Sequence, residues 1–487
     1  MTSRRYIPLP SNRPHTQDEW RSAYSDIQKA LVKFEQQTER EVHKLSISSR
    51  DSIYTGNIGT AFMQYHLASL NLSSFQSTFR DALRPETLRS KADRVLTNVL
   101  RQNRVPTVVK NAGHASFLET PIGLATLVIM RCLECLSHPR YSEDENALSN
   151  LRRYWKASVN LLAGNIQKIP SDDAWLDRNP SAEHANRQAG AADDGCEVLY
   201  GRAGFLYALL RVRKTLAEAT TLKSYNELER SQREEVEVLV SDASLEVVAG
   251  SIMKRGKLGA RSYARSVAIE PNGEHNIPSL PPLMWSWHGR RYLGGAHGVT
   301  GILQILLSCP RTVAEKHISD VILTVKWLVA SQDPEGNWPT KAGDERSQRR
   351  HGQEHVNELV QWCHGAPGAV ILLSTMIRLQ PTEHSYFKLD DDLQAQLRTS
   401  IQRGADVIYE RGLLRKGLGL CHGVAGSVYA LLSASWILDQ DAANTPHFKK
   451  AIHLANLATQ VDKFVQDGAT KVPERPWSLY EGMSGMR

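Results

Sequence analysis

With 487 residues, 41% of them hydrophobic and 23% charged, the chain has ample apolar content for a large core. Its 59 basic and 52 acidic residues leave a formal charge of +7 without any long Lys/Arg stripe, a pattern that disfavours nucleic-acid binding and mildly favours anionic partners. Six cysteines in so long a chain, no signal-like apolar stretch after Met1-Thr2-Ser3-Arg4-Arg5 and no uninterrupted apolar run of about 18 residues argue against a disulfide scaffold and a spanning helix. A cytoplasmic location is the expectation, with peripheral membrane contact or a nuclear fraction left open.

Residues 1–50 read as an N-terminal extension and first outer helix, because apolar and charged residues recur at three- and four-residue spacing from Asp18 to Leu45. Gly56-Asn57-Ile58-Gly59 then introduces a phrase of two glycines three apart that opens an apolar helical run. A degenerate copy follows at Thr120-Pro121-Ile122-Gly123, where the first glycine is missing. Full copies return at Gly201–Gly204, Gly298–Gly301, Gly365–Gly368, Gly423–Gly426 and Gly482–Gly485. Helices that are apolar on most of their circumference, such as the one begun by Phe205-Leu206-Tyr207-Ala208-Leu209-Leu210, belong to an inner layer. Amphipathic stretches such as Glu227 to Val248 belong to an outer one. Polar segments at Ser181–Gly195, Ser262–Pro282 and Lys341–Asn357 read as surface excursions.

Seven such helical hairpins predict an all-α fold, an α/α toroid of about seven inner and seven outer helices forming a single domain over 1–487. Glycine suits loops that converge on an axis, where backbones approach closely and φ is often positive. The sequence ends at Arg487, soon after the last phrase, so the last inner helix is expected to be cut short. A toroid that is open at the seventh hairpin or sealed there only by its neighbours, and reduced stability, follow as expectations.

Trp362-Cys363-His364-Gly365 and Leu420-Cys421-His422-Gly423 place Cys-His at the same point of two consecutive repeats, which brings both pairs to one rim. Thiolate and imidazole are donors that zinc favours, and three of them leave a fourth tetrahedral position open. Buried structural cysteines with hydrogen-bonded histidines are the alternative. Cys132 and Cys135, on an apolar helical run without a second pair, read as core residues, as do Cys196 and Cys309. His297 precedes the glycine pair of the fourth repeat and so faces the same axis, where acid–base work or a structural role are both open.

These phrases resemble the eukaryotic lanthionine synthetase C-like family, relatives of the bacterial lantibiotic cyclases. The resemblance is carried by Leu199-Tyr200-Gly201-Arg202-Ala203-Gly204, Ala296-His297-Gly298, Trp362 to Gly368, Lys416 to Gly423 and Ser478 to Met483. It implies an α/α toroid with one zinc ion on its axis, held by Cys363, Cys421 and His422, with His364 a neighbour. It implies further that glutathione binds and that its thiol adds to dehydroamino acid residues of proteins, a Michael addition that forms a thioether, with His297 as the acid. By the same resemblance Lys416 contacts glutathione. Lys471 and Glu474 fall in a second contacting segment, Arg475 stands close to it, and Arg4 matches a residue proposed to reach a phosphorylated protein substrate.

Leu359 stands where the bacterial cyclases carry an Arg, which sides with the eukaryotic branch. Two other classes remain open: a non-catalytic glutathione-binding sensor or scaffold, which would use the same residues, and an α/α-toroid glycosidase. The latter needs two axial carboxylates roughly 5 to 9.5 Å apart, for which Glu197 and Glu481 are the candidates.

Overall fold

The computed structural model describes residues 4–10, 13–14, 16–42, 52–70, 77–102, 105–106, 111–137, 145–178, 194–220, 230–268, 280–343, 357–380 and 387–486. Most of the three polar excursions, at 181–193, 269–279 and 344–356, lies outside the described residues, as does the end of the stretch that runs to Leu45.

The local structure begins at the glycine phrases. Each loop doubles back so that its second glycine lies beneath the carbonyl of the residue six positions earlier. A Cβ at Gly59 would sit 2.1 Å from the Ile53 oxygen, at Gly123 2.1 Å from Phe117, at Gly204 2.2 Å from Val198 and at Gly301 2.0 Å from Gly295. The same clash recurs at Gly368 (2.6 Å from Trp362), Gly426 (2.4 Å from Leu420) and Gly485 (2.3 Å from Leu479). No side chain fits there, which is why this glycine survives even in the degenerate copy.

Of the two reasons expected for the first glycine, close backbone approach holds and positive φ is mostly absent. Gly56, Gly298 and Gly423 are extended, with φ of −97°, −121° and −112°. Only Gly365 among the first glycines has a positive φ, 102°. Close backbone approach rather than left-handed conformation therefore explains the phrase. In the degenerate loop Thr120 stands in for the first glycine: its Oγ1 accepts from the Ser116 amide at 2.9 Å and donates to the Ser116 carbonyl at 2.7 Å.

Each loop launches an inner helix: Asn57–Ser69, Pro121–Ser137, Arg202–Thr220, Val299–Leu307, Ala366–Arg378 and Val424–Leu438, with a 3-10 turn at Met483–Met486 in the seventh position. Outside them run Gln17–Val42, Pro85–Gln102, Trp155–Arg178, Asp242–Ala268, Ile318–Ala330, Asp391–Arg411 and Pro446–Ala458. Inner helices bury residues on several faces, as with Phe205, Leu206, Ala208 and Leu209. The protein is all-α, an α/α toroid.

Two periodic stretches are divided or extended relative to expectation. The one from Glu227 to Val248 breaks between helices Arg230–Leu239 and Asp242–Ala268, because Ser241 Oγ accepts from the Ser244 amide at 3.2 Å and caps the second helix. That second helix continues through Ser262 to Ala268, so the excursion begins later than its composition suggests.

At the rim the loops are tied to one another in order. Tyr54 N donates to Leu118 O at 3.0 Å, Phe117 N to Gly204 O at 3.2 Å, Val198 N to Ala296 O at 3.1 Å and Gly295 N to Trp362 O at 3.1 Å. Cys363 N to Cys421 O (3.2 Å), Cys421 N to Tyr480 O (2.8 Å) and Tyr480 N to Tyr54 O (3.1 Å) complete a closed circuit. The seventh loop thus closes the rim, so the open hairpin expected from the sequence does not extend to this face. The N-terminal segment joins the same face: Ile7 N donates to Leu413 O at 2.8 Å and Arg415 N to Arg5 O at 3.2 Å.

Cys132, Cys135, Cys196 and Cys309 are buried thiols outside any disulfide. Burial pushes Cys132 up to about 12, Cys135 to about 11 and Cys309 to about 12, as suits inert core residues. No described helix is long and apolar enough to cross a membrane.

Candidate functional site

The circuit of loops determines which side chains meet. Cys363 occupies the fifth loop, in a turn where Gln361 N donates to His364 O at 3.0 Å and His364 N returns to Gln361 O at 3.1 Å. Its backbone is bonded directly to Cys421 of the sixth loop, so the two thiols face each other across one rim contact. Their sulfurs and a His422 ring nitrogen all lie within 4.8 Å of one another. Both cysteines are buried, at 6% and 3% exposure.

Hydrogen bonding to Cys363, followed by burial, holds the Cys421 thiol well above the ordinary range. Two adjacent sulfurs shut away from water cannot both carry charge unless a cation lies between them. With the His422 imidazole beside them they form a sulfur–sulfur–nitrogen set that fits zinc in charge and softness and leaves a fourth position for another ligand. His364 is not in this cluster. Burial first, then the nearby charges of His297, Lys416, Lys341 and His422, lower it to about 4, and it sits as a neutral ring beside Tyr292, 5.5 Å between centroids.

The cluster lines a cavity of about 320 Å³ together with Tyr54, His297, His364, Gln361, Lys416 and Arg5. His297 is therefore brought to the same chamber. Its Nδ1 lies 2.9 Å from Glu197 Oε2, and Glu197 is only 3% exposed. That carboxylate also accepts from the Leu199 amide at 2.7 Å and from the Tyr200 amide, so it is rigidly held. Trp287 lies parallel to the imidazole, 5.4 Å away at 2°. With Nδ1 committed to Glu197, Nε2 is the nitrogen left to meet a reactant.

A second, cationic groove of about 510 Å³ adjoins the chamber and shares Arg5, Gln361, Lys416 and His422 with it. Arg4, Arg415 and Lys471 add to its lining, and Glu358 is the acidic residue among them. The wall is held by the chain itself: Lys471 N donates to Arg415 O at 3.1 Å, Thr470 Oγ1 to the same oxygen at 2.8 Å, and Arg5 Nε to Glu358 at 3.1 Å. Lys416, Lys471 and Arg4 of the sequence-derived set meet here, whereas Glu474 and Arg475 line neither cavity.

Sequence reading missed three groups. Glu197 was weighed only as a glycosidase carboxylate, but it is engaged by His297 and two amides. Tyr54 and Gln361, which line the chamber with the cysteines, stand just before the loop phrases; proximity to the repeat was their one signal. Among the described residues, this cluster of two thiols and one imidazole is the one grouping able to hold a metal ion.

The α/α toroid with a three-donor cluster of two thiols and an imidazole on its rim defines the class of protein. Residues 146–487 match the family described as lanthionine synthetase C-like protein, and the chain belongs to that family. It is 28% identical over 291 residues to glutathione S-transferase LANCL1 of Danio rerio, covering 59% of this chain and 56% of that one. It is 27% identical over 316 residues to LanC-like protein GCL1 of Arabidopsis thaliana, covering 62% and 57% respectively. The chain thus spans a little over half the length of these relatives.

Proposed function

We propose that this protein binds zinc through Cys363, Cys421 and His422, takes glutathione into the adjoining groove and adds its sulfur to dehydroamino acid residues of proteins. One observation carries the reading: a soft donor cluster, a carboxylate-oriented imidazole and a cationic groove open into connected space. The name of the Danio rerio relative agrees with glutathione as the thiol.

When bound, zinc lowers the pKa of a coordinated thiol from about 8.5, at which ~3% is ionised at pH 7, and so raises the reactive fraction by at most ~30-fold. The remaining rate must come from placement and proton transfer by the protein. Lys416 and Lys471 offer ammonium groups to the glutathione carboxylates, which fixes the tripeptide in the groove with its sulfur directed to the chamber. As the sulfur bonds to the β-carbon of the alkene, the π electrons pass to the α-carbon and carbonyl. His297 gives its Nε2 proton to the α-carbon, and Glu197 stabilises the ring through Nδ1 in either protonation state. The thiol releases one proton on ionising and His297 delivers one to the α-carbon and regains it from solvent, so no group leaves and the elements of one thiol account for the whole addition.

Incubating the protein with glutathione and a dehydroalanine peptide tests this. The expected product carries the mass of one glutathione, and the His297→Asn variant keeps its zinc but loses about 10²-fold or more in rate. A protein that binds zinc and glutathione yet yields no adduct would be a sensor, and the enzymatic reading would be wrong. Absence of zinc in metal analysis would overturn the metal site itself.

A further inference from the structure

Gln361 and Tyr54 have no role in the chemistry above, yet both line the chamber that holds the two sulfurs. Gln361 Nε2 lies 3.2 Å from Cys363 Sγ, and the residue is 7% exposed. Its backbone is bracketed by the two hydrogen bonds to His364, so the amide has little freedom to turn away. Tyr54 is also 7% exposed, and it lines the chamber wall together with Cys421, whose sulfur is close enough to help push the phenol well above its ordinary range after burial, the larger cause. Its ring stacks on Tyr480 with centroids 4.8 Å apart, and its backbone is tied on both sides to the rim circuit. Both side chains line the chamber.

An amide N–H and a phenol O–H are donors that a thiolate can accept. The arrangement sets one donor near each sulfur, from two loops that are far apart in sequence. We propose that Gln361 and Tyr54 are positioning residues of the metal centre, each donating a hydrogen bond to one ligand sulfur. The inference rests on the zinc reading of Cys363, Cys421 and His422. A sulfur that accepts a hydrogen bond is fixed in orientation and gives less charge to the metal, which preserves the metal's acidity toward the fourth ligand. Removing the donor leaves that sulfur more electron-rich and less well placed.

The test compares the full chain with Gln361→Met, Tyr54→Phe and the double variant. Zinc affinity is read by competition with a chromogenic chelator, and the sulfur-to-cobalt charge-transfer band is read after Co(II) substitution. Each single variant is expected to bind one equivalent about 10-fold more weakly, the range typical for outer-shell partners. The cobalt band should move to longer wavelength, a change that a merely structural role would not produce. Tyr54→Phe removes a single oxygen from a ring that keeps its stack, so it decides the matter even if Gln361→Met fails to fold. Folded variants with the parent's affinity and band position overturn the proposal alone. A parent chain that takes up no metal overturns both the proposal and the reading beneath it.

Discussion

His364 stands beside Cys363 in sequence, yet its ring is left out of the three-donor cluster and is lowered to about 4 by burial and nearby cations. An unfolded histidine titrates near 6.5. Between those values the unfolded chain carries a proton at this site that the fold refuses, so the unfolded state binds more protons and stability falls as pH drops. The contribution is complete above about 6.5, declines down to about 4 and is gone below it. Replacing His364 by Phe should flatten that part of the stability profile by up to about 3 kcal/mol. Urea melts of both proteins at pH 7, 5.5 and 4 measure it, and parallel profiles would refute it. The two Cys-His dipeptides were plain in the sequence, but which histidine joins the cluster was carried by resemblance, since neighbouring residues on a turn point apart. The pairing of His297 with Glu197, 100 residues away, could not be read from either residue because it exists only once two loops are adjacent.

At the scale of the element, the second glycine of each phrase is a packing requirement whose strength can be compared with an ordinary helical glycine. Gly123 would bring a Cβ to 2.1 Å from the Phe117 oxygen, a backbone atom that cannot yield without moving the loop. Gly164, inside helix Trp155–Arg178, has nothing within 4 Å. Gly123→Ala should therefore destabilise by about 2–4 kcal/mol, whereas Gly164→Ala should stabilise by about 0.5–1 kcal/mol. Thermal melts of the two variants give opposite shifts if the loop geometry is right; similar shifts would not be compatible with it. The spacing of the glycines was legible in the sequence because this clash repeats in every loop. Their conformation was not: positive φ was the natural guess, but only Gly365 adopts it among the first glycines. The break at Ser241 was likewise hidden, because apolar spacing continues across it while a single hydroxyl resets the helix.

For the whole molecule, the circuit of loop-to-loop hydrogen bonds converts a linear repeat into a ring, and that ring gathers the site from distant parts of the chain. The groove depends on it in a further way. Arg5 reaches Glu358 across 353 residues, and residues 5–7 pair with 413–415, whose other side is held by 469–471. The loop that carries Lys416 is thus clamped between the N-terminal segment and the segment that carries Lys471. No periodicity in residues 1–50 signals this, because the contact is made by a short extended stretch whose partner is nonlocal. Deleting residues 1–9 removes the clamp but leaves the glycine loops and their circuit intact. Amides in 411–417 should then exchange about 10-fold faster or more, while those of helix Asn57–Ser69 stay protected, and glutathione should bind more weakly, because the clamp and the Arg4 and Arg5 lining are lost together although Lys416 and Lys471 are still present. Hydrogen exchange read by mass spectrometry, with calorimetric titration of glutathione, separates the alternatives. If exchange in 411–417 is unchanged, the N-terminal segment is a passenger on the rim. If it rises while affinity holds, the groove needs neither a fixed wall nor Arg4 and Arg5, and the cations that remain, Lys416 and Lys471 among them, account for recognition.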